Sequence, residues 1–322
     1  MRRLLMCLLA LWGTLSTAFG DTYPSRRITV IVPNPPGAAS DTSARIITES
    51  MSTRLGQPIV IENVAGAFGM IGAQRLTQST PDGYTLCFCL DGQLMTLPAD
   101  AAAFGKPLPY TTQDFTPIGR AFETIFVLVA HPSLRVSSWD GFVSRLRADQ
   151  TITIGRANPT GLIATGILKS GSDGFVFSPV SFTGEPAAMT NLLGGHINAL
   201  FATTGTVLEH VRSGQVVPIG VIGKHRSPLL PALTTLSEQG AKDFGTLSAW
   251  GGMFGPKGLS EAIVRRLHDA LSSALAEKAV HEKLTAMGYF VAPSTPEELR
   301  RTIDGYPAIT RFLKDSGISL RR

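Results

Sequence analysis

Residues 28–47, ITVIVPNPPGAASDTSARII, decide how the rest of the chain is read. Ile28–Val32 is an apolar, β-branched run, the composition of a buried strand. Pro33–Ala39 follows as a tight loop with three prolines, one glycine and two alanines. From Thr42 to Leu55 the pattern is helical; Ser40 or Asp41 is placed to cap the helix, and Asp41 begins its first turn. The first N–H groups of a helix have no partner inside it, and the helix dipole adds partial positive charge there. Small loop residues let a carboxylate or phosphate approach that backbone closely. The loop lacks a P-loop lysine, so the segment alone reads either as an anion site or as an ordinary strand-to-helix connection.

Upstream, Arg2 and Arg3 precede the apolar run Leu4–Leu11, and Ser16–Gly20 is rich in small residues. This is the layout of a secretory signal peptide, residues 1–20, with cleavage expected between Gly20 and Asp21. The run is too short to span a bilayer, and no later stretch offers about 18 uninterrupted apolar residues. Cys7 sits inside the apolar run, too early for a lipid-anchored cysteine. The expected mature chain is exported and soluble.

About 300 mature residues exceed what one core usually holds, so two domains are expected. The net charge of +5 falls to about +3 once the leader's two arginines are removed. No Lys/Arg run or aromatic-interleaved basic patch is present, so a pI of 9.3 does not imply a nucleic-acid partner. Mild positive charge suits small anionic ligands. Cys87 and Cys89 flank Phe88 in a strand-like run. Residues two apart share a strand face, and a bridge between them would be strained, so they read as two buried thiols. An oxidising compartment permits a disulfide, which keeps that state open.

Along the chain, strand patterns alternate with helical ones. Ile28–Val32, Ile59–Asn63, Thr85–Leu90, Ile125–Ala130, Thr151–Gly155, Val176–Phe182, Ile197–Ala202 and Val217–Val221 read as strands. Thr42–Leu55, Gly69–Gln78, Trp139–Ala148, Thr160–Ser170, Ala187–Leu193 and Gly205–Ser213 read as the helices between them. Such alternation means βαβ units and mostly parallel sheets with helices on both faces, an α/β protein. Ser260–Glu277 and Ala279–Met287 are amphipathic helices, and another starts at Pro296–Asp304 and runs toward Leu313, bent or broken at Pro307. Phe122–Ala130 and Leu247–Phe254 look like strands, so two ordered crossings are expected to join the domains.

Gly66–Gly72, GAFGMIG, lies between a strand and a helix as a GxxGxxG variant of a nucleotide loop, and Asp91 ends the next strand at a distance suited to a ribose contact. That keeps an exported, nucleotide-binding α/β enzyme as a competing reading. The competing view is that the glycines serve a turn and close helix packing. The six histidines form no metal-ligand pattern, and no G-x-S-x-G elbow occurs, so neither a metal nor a nucleophile is implied. No acid/base pair is evident and no cofactor is required. Gly155–Gly161, GRANPTG, is a second loop between strand and helix; Asn158 or Thr160 can cap, and Arg156 can supply a bidentate carboxylate contact or lie on the surface. Phe201–Thr204 ends another strand with two hydroxyls. Ligands in open α/β sheets sit beyond the carboxyl ends of strands, where all these loops fall.

Taken together, YPSRRITVIVPNPPGAASD, LGQPIVIENVAGAFGMIGAQ, PDGYTL, LPYTTQDFTPIG, NLLGGHINALF, GKHRSPLLPALTTLSEQG and WGGMFGPKGLS resemble the substrate-binding proteins of the tripartite tricarboxylate transporter family, the Bug receptors. The resemblance implies a type II periplasmic-binding-protein fold: two doubly wound α/β domains joined by a two-crossing hinge, the ligand cleft between them. By analogy, residues 21–121 plus 247–322 form domain 1 and residues 122–246 form domain 2. It also implies a periplasmic monomer that does no chemistry, captures a small carboxylate (a di- or tricarboxylate or related acid) and delivers it to a membrane permease. A solute sensor for a signalling partner is the variant of that reading.

Carried over by position, the loop Pro35–Asp41, with Pro36, Gly37, Ala38, Ala39, Ser40 and Asp41, holds one ligand carboxylate. Asp91–Gln93 lines the cleft, Asn158 and Thr160 meet the distal end, and Ala202 and Thr203 follow the strand INALF. Three departures stand out. Ala38 replaces the second glycine of the family's GG. GRANPTG, with Arg156, replaces a glycine-serine loop. Ala202 stands where the family often has an aspartate. Without that carboxylate a buried ammonium is costly, so simple α-amino acids are expected to bind poorly and Arg156 to favour an acid end.

Overall fold

A computed structural model of the chain describes residues 23–170, 175–182, 184–242, 244–247 and 249–316. The expected signal peptide and its cleavage point lie outside the described residues. In chain order the elements are β1 (Ile28–Val32), α1 (Ala39–Leu55), β2 (Ile59–Asn63), α2 (Met70–Thr77), β3 (Thr85–Leu90), α3 (Leu97–Phe104), β4 (Phe115–Thr124), β5 (Phe126–Ala130), α4 (Trp139–Ala148), β6 (Thr153–Arg156) and α5 (Pro159–Ser170). They continue with β7 (Ser178–Ser181), α6 (Glu185–Leu193), β8 (Ala199–Thr203), α7 (Thr204–Arg212), β9 (Val217–Ile222), β10 (Ala249–Pro256), α8 (Glu261–Ala276), α9 (Lys278–Ala286), β11 (Tyr289–Val291), α10 (Pro296–Ile303) and α11 (Tyr306–Ser316).

The strands form two sheets, one in the order β11-β4-β10-β3-β1-β2 and one in the order β7-β6-β8-β5-β9. Each begins as a parallel βαβ core: β1 pairs with β2 and β3, and β6 pairs with β7 and β8. Apolar residues fill the central strands β1, β3 and β8, where both faces are covered, whereas β2 and β7 lie at sheet edges and are partly exposed. The expected parallel order gives way where the chain crosses between sheets. β4 and β10 run antiparallel to each other, as β5 does to β8 and β9. The crossing strand does not run through from Phe122 to Ala130; it is interrupted at Ile125, between Thr124 in one sheet and Phe126 in the other.

Each sheet has a core on each face. On the first, Ile28, Val30, Phe88 and Phe122 pack beneath α1, α8 and α9, while Ile31, Cys87, Trp250 and Phe254 pack on the other side. Cys87 and Cys89 are joined in a disulfide, their Cα atoms 5.6 Å apart. The expectation of two thiols is corrected: both side chains share one face, and their Cα atoms come close enough to be bridged. The break expected at Pro307 falls at Asp304–Gly305 instead, and Pro307 sits in the first turn of α11, where its missing N–H has no helical partner to lose. A π-helical turn, Gly92–Thr96, and α3 fill a stretch to which the sequence pattern assigns no element.

The glycines of GAFGMIG are used for packing. A Cβ on Gly72 would come 2.7 Å from the Val64 carbonyl oxygen and 3.1 Å from Pro33. At Gly69, with φ +88°, it would meet Gln93 Nε2 at 2.5 Å. These contacts seat the loop against β1 and the turn after β3. Gly72→Ala is therefore expected to cost about 1–3 kcal/mol through backbone displacement, checked by urea unfolding; an unchanged midpoint would show that the loop yields freely.

Candidate functional site

The C-terminal ends of β1 and β3 carry the loop 33–38 and the turn from Asp91. Those of β6, β7 and β8 carry the starts of α5, α6 and α7. Groups from both sheets line one cavity of about 650 Å³, with Asp91, Thr96 and Trp250 on one side and Thr160, Ile163 and Ile167 on the other. Leu247 and α11 close part of its wall. Its charged lining includes Lys224 and the pair Arg120–Glu123, whose atoms lie 2.8 Å apart.

In the first loop the helix begins earlier than expected. Ala38 is the N-cap residue of α1, and no side chain caps the helix. The expected capping by Ser40 or Asp41 is corrected, because both lie inside the first turn. Gly37 takes φ +79°, a conformation glycine adopts without strain. Pro36, Gly37 and Ala39 are exposed, whereas Ser40 and Asp41 are buried. Asp41 is committed to holding the loop: its carboxylate accepts from Gly37 N–H at 2.9 Å, Asn63 Nδ2 at 2.9 Å and Arg45 Nε at 3.1 Å. Burial pushes its pKa up, but the hydrogen bonds from Arg45, Gly37 and Asn63 prevail and hold it below the ordinary value. Asn34 Nδ2 in this loop and Trp250 Nε1 at the cavity are buried donors without a protein partner.

Gln93 is a packing residue more than a cleft residue. It is 5% exposed; its Oε1 accepts from Leu90 N–H and its Nε2 donates to Phe68 O. Asp91 does line the cavity. Burial raises its carboxyl to about 6, against the Trp250 backbone N–H, the Thr96 hydroxyl and the Gly92 backbone N–H, which stabilise the charged form.

Across the cleft, Asn158 caps α5 by accepting from Gly161 N–H at 2.7 Å, and its Nδ2 donates to Glu185 Oε1 at 2.8 Å. Thr160 is buried against the cavity. Arg156 ends β6 and donates from Nε to Ser181 on the adjacent strand at 2.9 Å; burial lowers its pKa. Ala202 is placed differently from the expectation. β8 runs one residue further than its sequence pattern, so Ala202 is fully buried in the sheet core with Val127, Leu200 and Val221. Thr203 is the residue at the exit, its N–H and hydroxyl both donating to Glu185. Sequence reasoning missed Glu185 because α6 was read from Ala187. The Glu-Pro pair after a strand, with proline suited to a first helical turn, was the available signal.

The model of the tripartite tricarboxylate transporter family receptor matches residues 43–312. The Bug protein BugT of Bordetella pertussis is 31% identical over 314 residues, covering 96% of this chain and 95% of that one. Among solved structures, MatC from Rhodopseudomonas palustris with bound malate is 29% identical with a TM-score of 0.69, covering 91% of this chain and 99% of that one. The periplasmic binding protein BugD is 26% identical with a TM-score of 0.71, covering 92% and 99%. Sheet topology, interlobe cavity and these likenesses define a two-domain periplasmic-binding-protein fold of the substrate-receptor class. The chain belongs to the tripartite tricarboxylate transporter receptor family.

Among the described residues no group of three or more His, Cys, Asp and Glu could hold a metal, and no helix is long and apolar enough to cross a membrane. The Asp91 carboxyl gives a pH test. Its folded pKa lies above the ordinary 3.8, so its contribution is full below that value and is lost as pH rises through about 6. Asp91→Asn is expected to gain about 1–3 kcal/mol on the parent protein between about pH 4 and pH 7.5, read from urea midpoints. Parallel pH profiles would show that Asp91 titrates as an ordinary surface aspartate.

Proposed function

We propose that this protein is a periplasmic receptor that captures a small organic acid between two closing domains and presents it to a tripartite tricarboxylate-type permease. The observation that carries the reading is the cavity lined from one sheet by Asp91 and Thr96 and from the other by Thr160. A ligand that touches both halves favours closure, because it binds the closed state better than the open one. The domains are residues 21–121 with 247–322, and 122–246, crossed at Ile125 and near Leu247. The first loop, Pro36 to Ser40, offers the uncapped N-terminus of α1 to one ligand carboxylate. Asp41 positions that loop. Asp91 and Thr160 line the cleft, with Asn158 and Thr203 behind it.

The malate held by MatC, a relative of similar length, supports an acid as the ligand class. Export through the leader Met1–Gly20 places the receptor in the periplasm, and it works there as a monomer without cofactor or catalysis. The family is one of substrate receptors, which fits that role.

The test is thermal unfolding of the mature protein, from Asp21, against mono-, di- and tricarboxylates, amino acids and nucleotides. A ligand at ~100 times its Kd adds about 2.7 kcal/mol, expected to raise the midpoint by a few degrees with one class of acid. A rise with nucleotides alone would overturn the receptor reading and favour an exported enzyme using Gly66–Gly72.

A further inference from the structure

We propose that the cavity takes organic acids whose body is bulky and apolar, a ring or a branched carbon skeleton, in preference to small hydroxylated acids. The proposal rests on the receptor reading above and names the ligand class of that same cavity. The lining divides by character. Met95 in the turn after β3, Ile167 of α5, Leu247 of the returning passage, and Ile309 and Phe312 of α11 all face it. Each of the five is only half-buried. The last four pack in one cluster with the buried Ala99, Ile163 and Leu313. The charged lining forms a group of its own. Arg120 and Glu123 of β4 are an ion pair, and His225, beside the lining residue Lys224, brings Nε2 to 4.0 Å from Glu123 Oε2. Asp315, in the last turn of α11, is exposed.

Most polar groups of the lining are already engaged with the protein. Asp91 accepts from the backbone N–H groups of Trp250 and Gly92 and from the Thr96 hydroxyl. Arg120 also donates from Nε to Ala292 O at 2.9 Å, and the Thr302 hydroxyl donates to Glu298 O at 2.9 Å. Two lining donors remain for an acid end. Lys224 forms no ion pair among the described residues, and the Trp250 indole N–H is buried without a protein partner. A hydroxyl on the ligand's body would give up water here for few free partners, which costs affinity. An apolar body would instead cover the five half-buried side chains and gain from each one removed from water. Size points the same way. A cavity of about 650 Å³ lies in the range that holds drug-sized molecules. A four-carbon acid would leave much of it as water against apolar walls, an unfavourable arrangement. MatC holds malate, a four-carbon hydroxy acid, so the proposal sets this chain's ligand apart from that relative's.

The experiment is calorimetric titration of the mature protein with two series in which the acid ends stay fixed and the body changes: succinate, malate and phenylsuccinate; propionate, lactate and hydrocinnamate. In the series whose acid ends fit the cavity, the phenyl acid is expected to bind at least about tenfold more tightly than the plain one, and the hydroxy acid no more tightly than the plain one. Ile309→Asn, which puts an amide into the apolar wall, is expected to remove most of the phenyl acid's advantage. Because Ile309 also packs in the α11 cluster, the variant is first checked by thermal unfolding; the ranking in the parent protein decides the matter if the variant does not fold. Malate or succinate binding as tightly as phenylsuccinate, or lactate or propionate as tightly as hydrocinnamate, overturns the proposal and leaves the receptor reading in place. Binding by none of these acids, nor by any in the wider panel, overturns the receptor reading and the proposal with it.

Discussion

The chain passes between its two sheets twice, and the two passages are tied to each other. Thr124, the last residue of β4, pairs with Ala249, the first of β10, and the ladder continues to Phe115 and Pro256. Between Thr124 and β5 stands Ile125, whose carbonyl accepts from Thr204 N–H at 2.8 Å and from the Thr204 hydroxyl at 3.0 Å. Thr204 opens α7, next to Thr203 and the Glu185 cluster. The crossing therefore sets where the loops at the ends of the second sheet's strands stand relative to the strand that leaves the first. Losing that register would move the cleft walls apart even with both cores intact.

The parallel βαβ cores could be read from the sequence because their strands are buried on both faces. ITVIV and TLCFCL are apolar runs bounded by turn residues, and such runs have few other homes. The antiparallel placement of β10 and β5 was not readable, because strand direction follows from chain routing rather than composition. The stretch Asp91–Phe104 was missed for a different reason: DGQLMTLPADAAAF contains a proline and no clean period, and its helical state depends on packing against α11. At the site, the loop around Gly37 could be read from its small residues. The Glu-Pro pair could have placed Glu185 at the start of α6, but not its bonds to Asn158 and Thr203, which are 27 and 18 residues away. Cys87 and Cys89 show the limit of ideal geometry, since a modest contraction of the strand brings their Cα atoms within bridging range.

Further contacts between the two halves of the molecule lie beside the crossing. His225 stacks on Phe290 with ring centroids 4.5 Å apart, joining the segment after β9 to β11. Leu313 of α11 is buried with Ala99 of α3 and Ile163 of α5, and Leu247 packs against the same cluster. Leu247 is itself in the returning passage, so this cluster sits beside the chain's return to the first sheet. Helix α11 thus contacts both α3 and α5. Its side chains Ala308, Ile309 and Phe312 line the same cavity as Asp91, and apolar lining of that kind keeps out water that would weaken the effect of a charge.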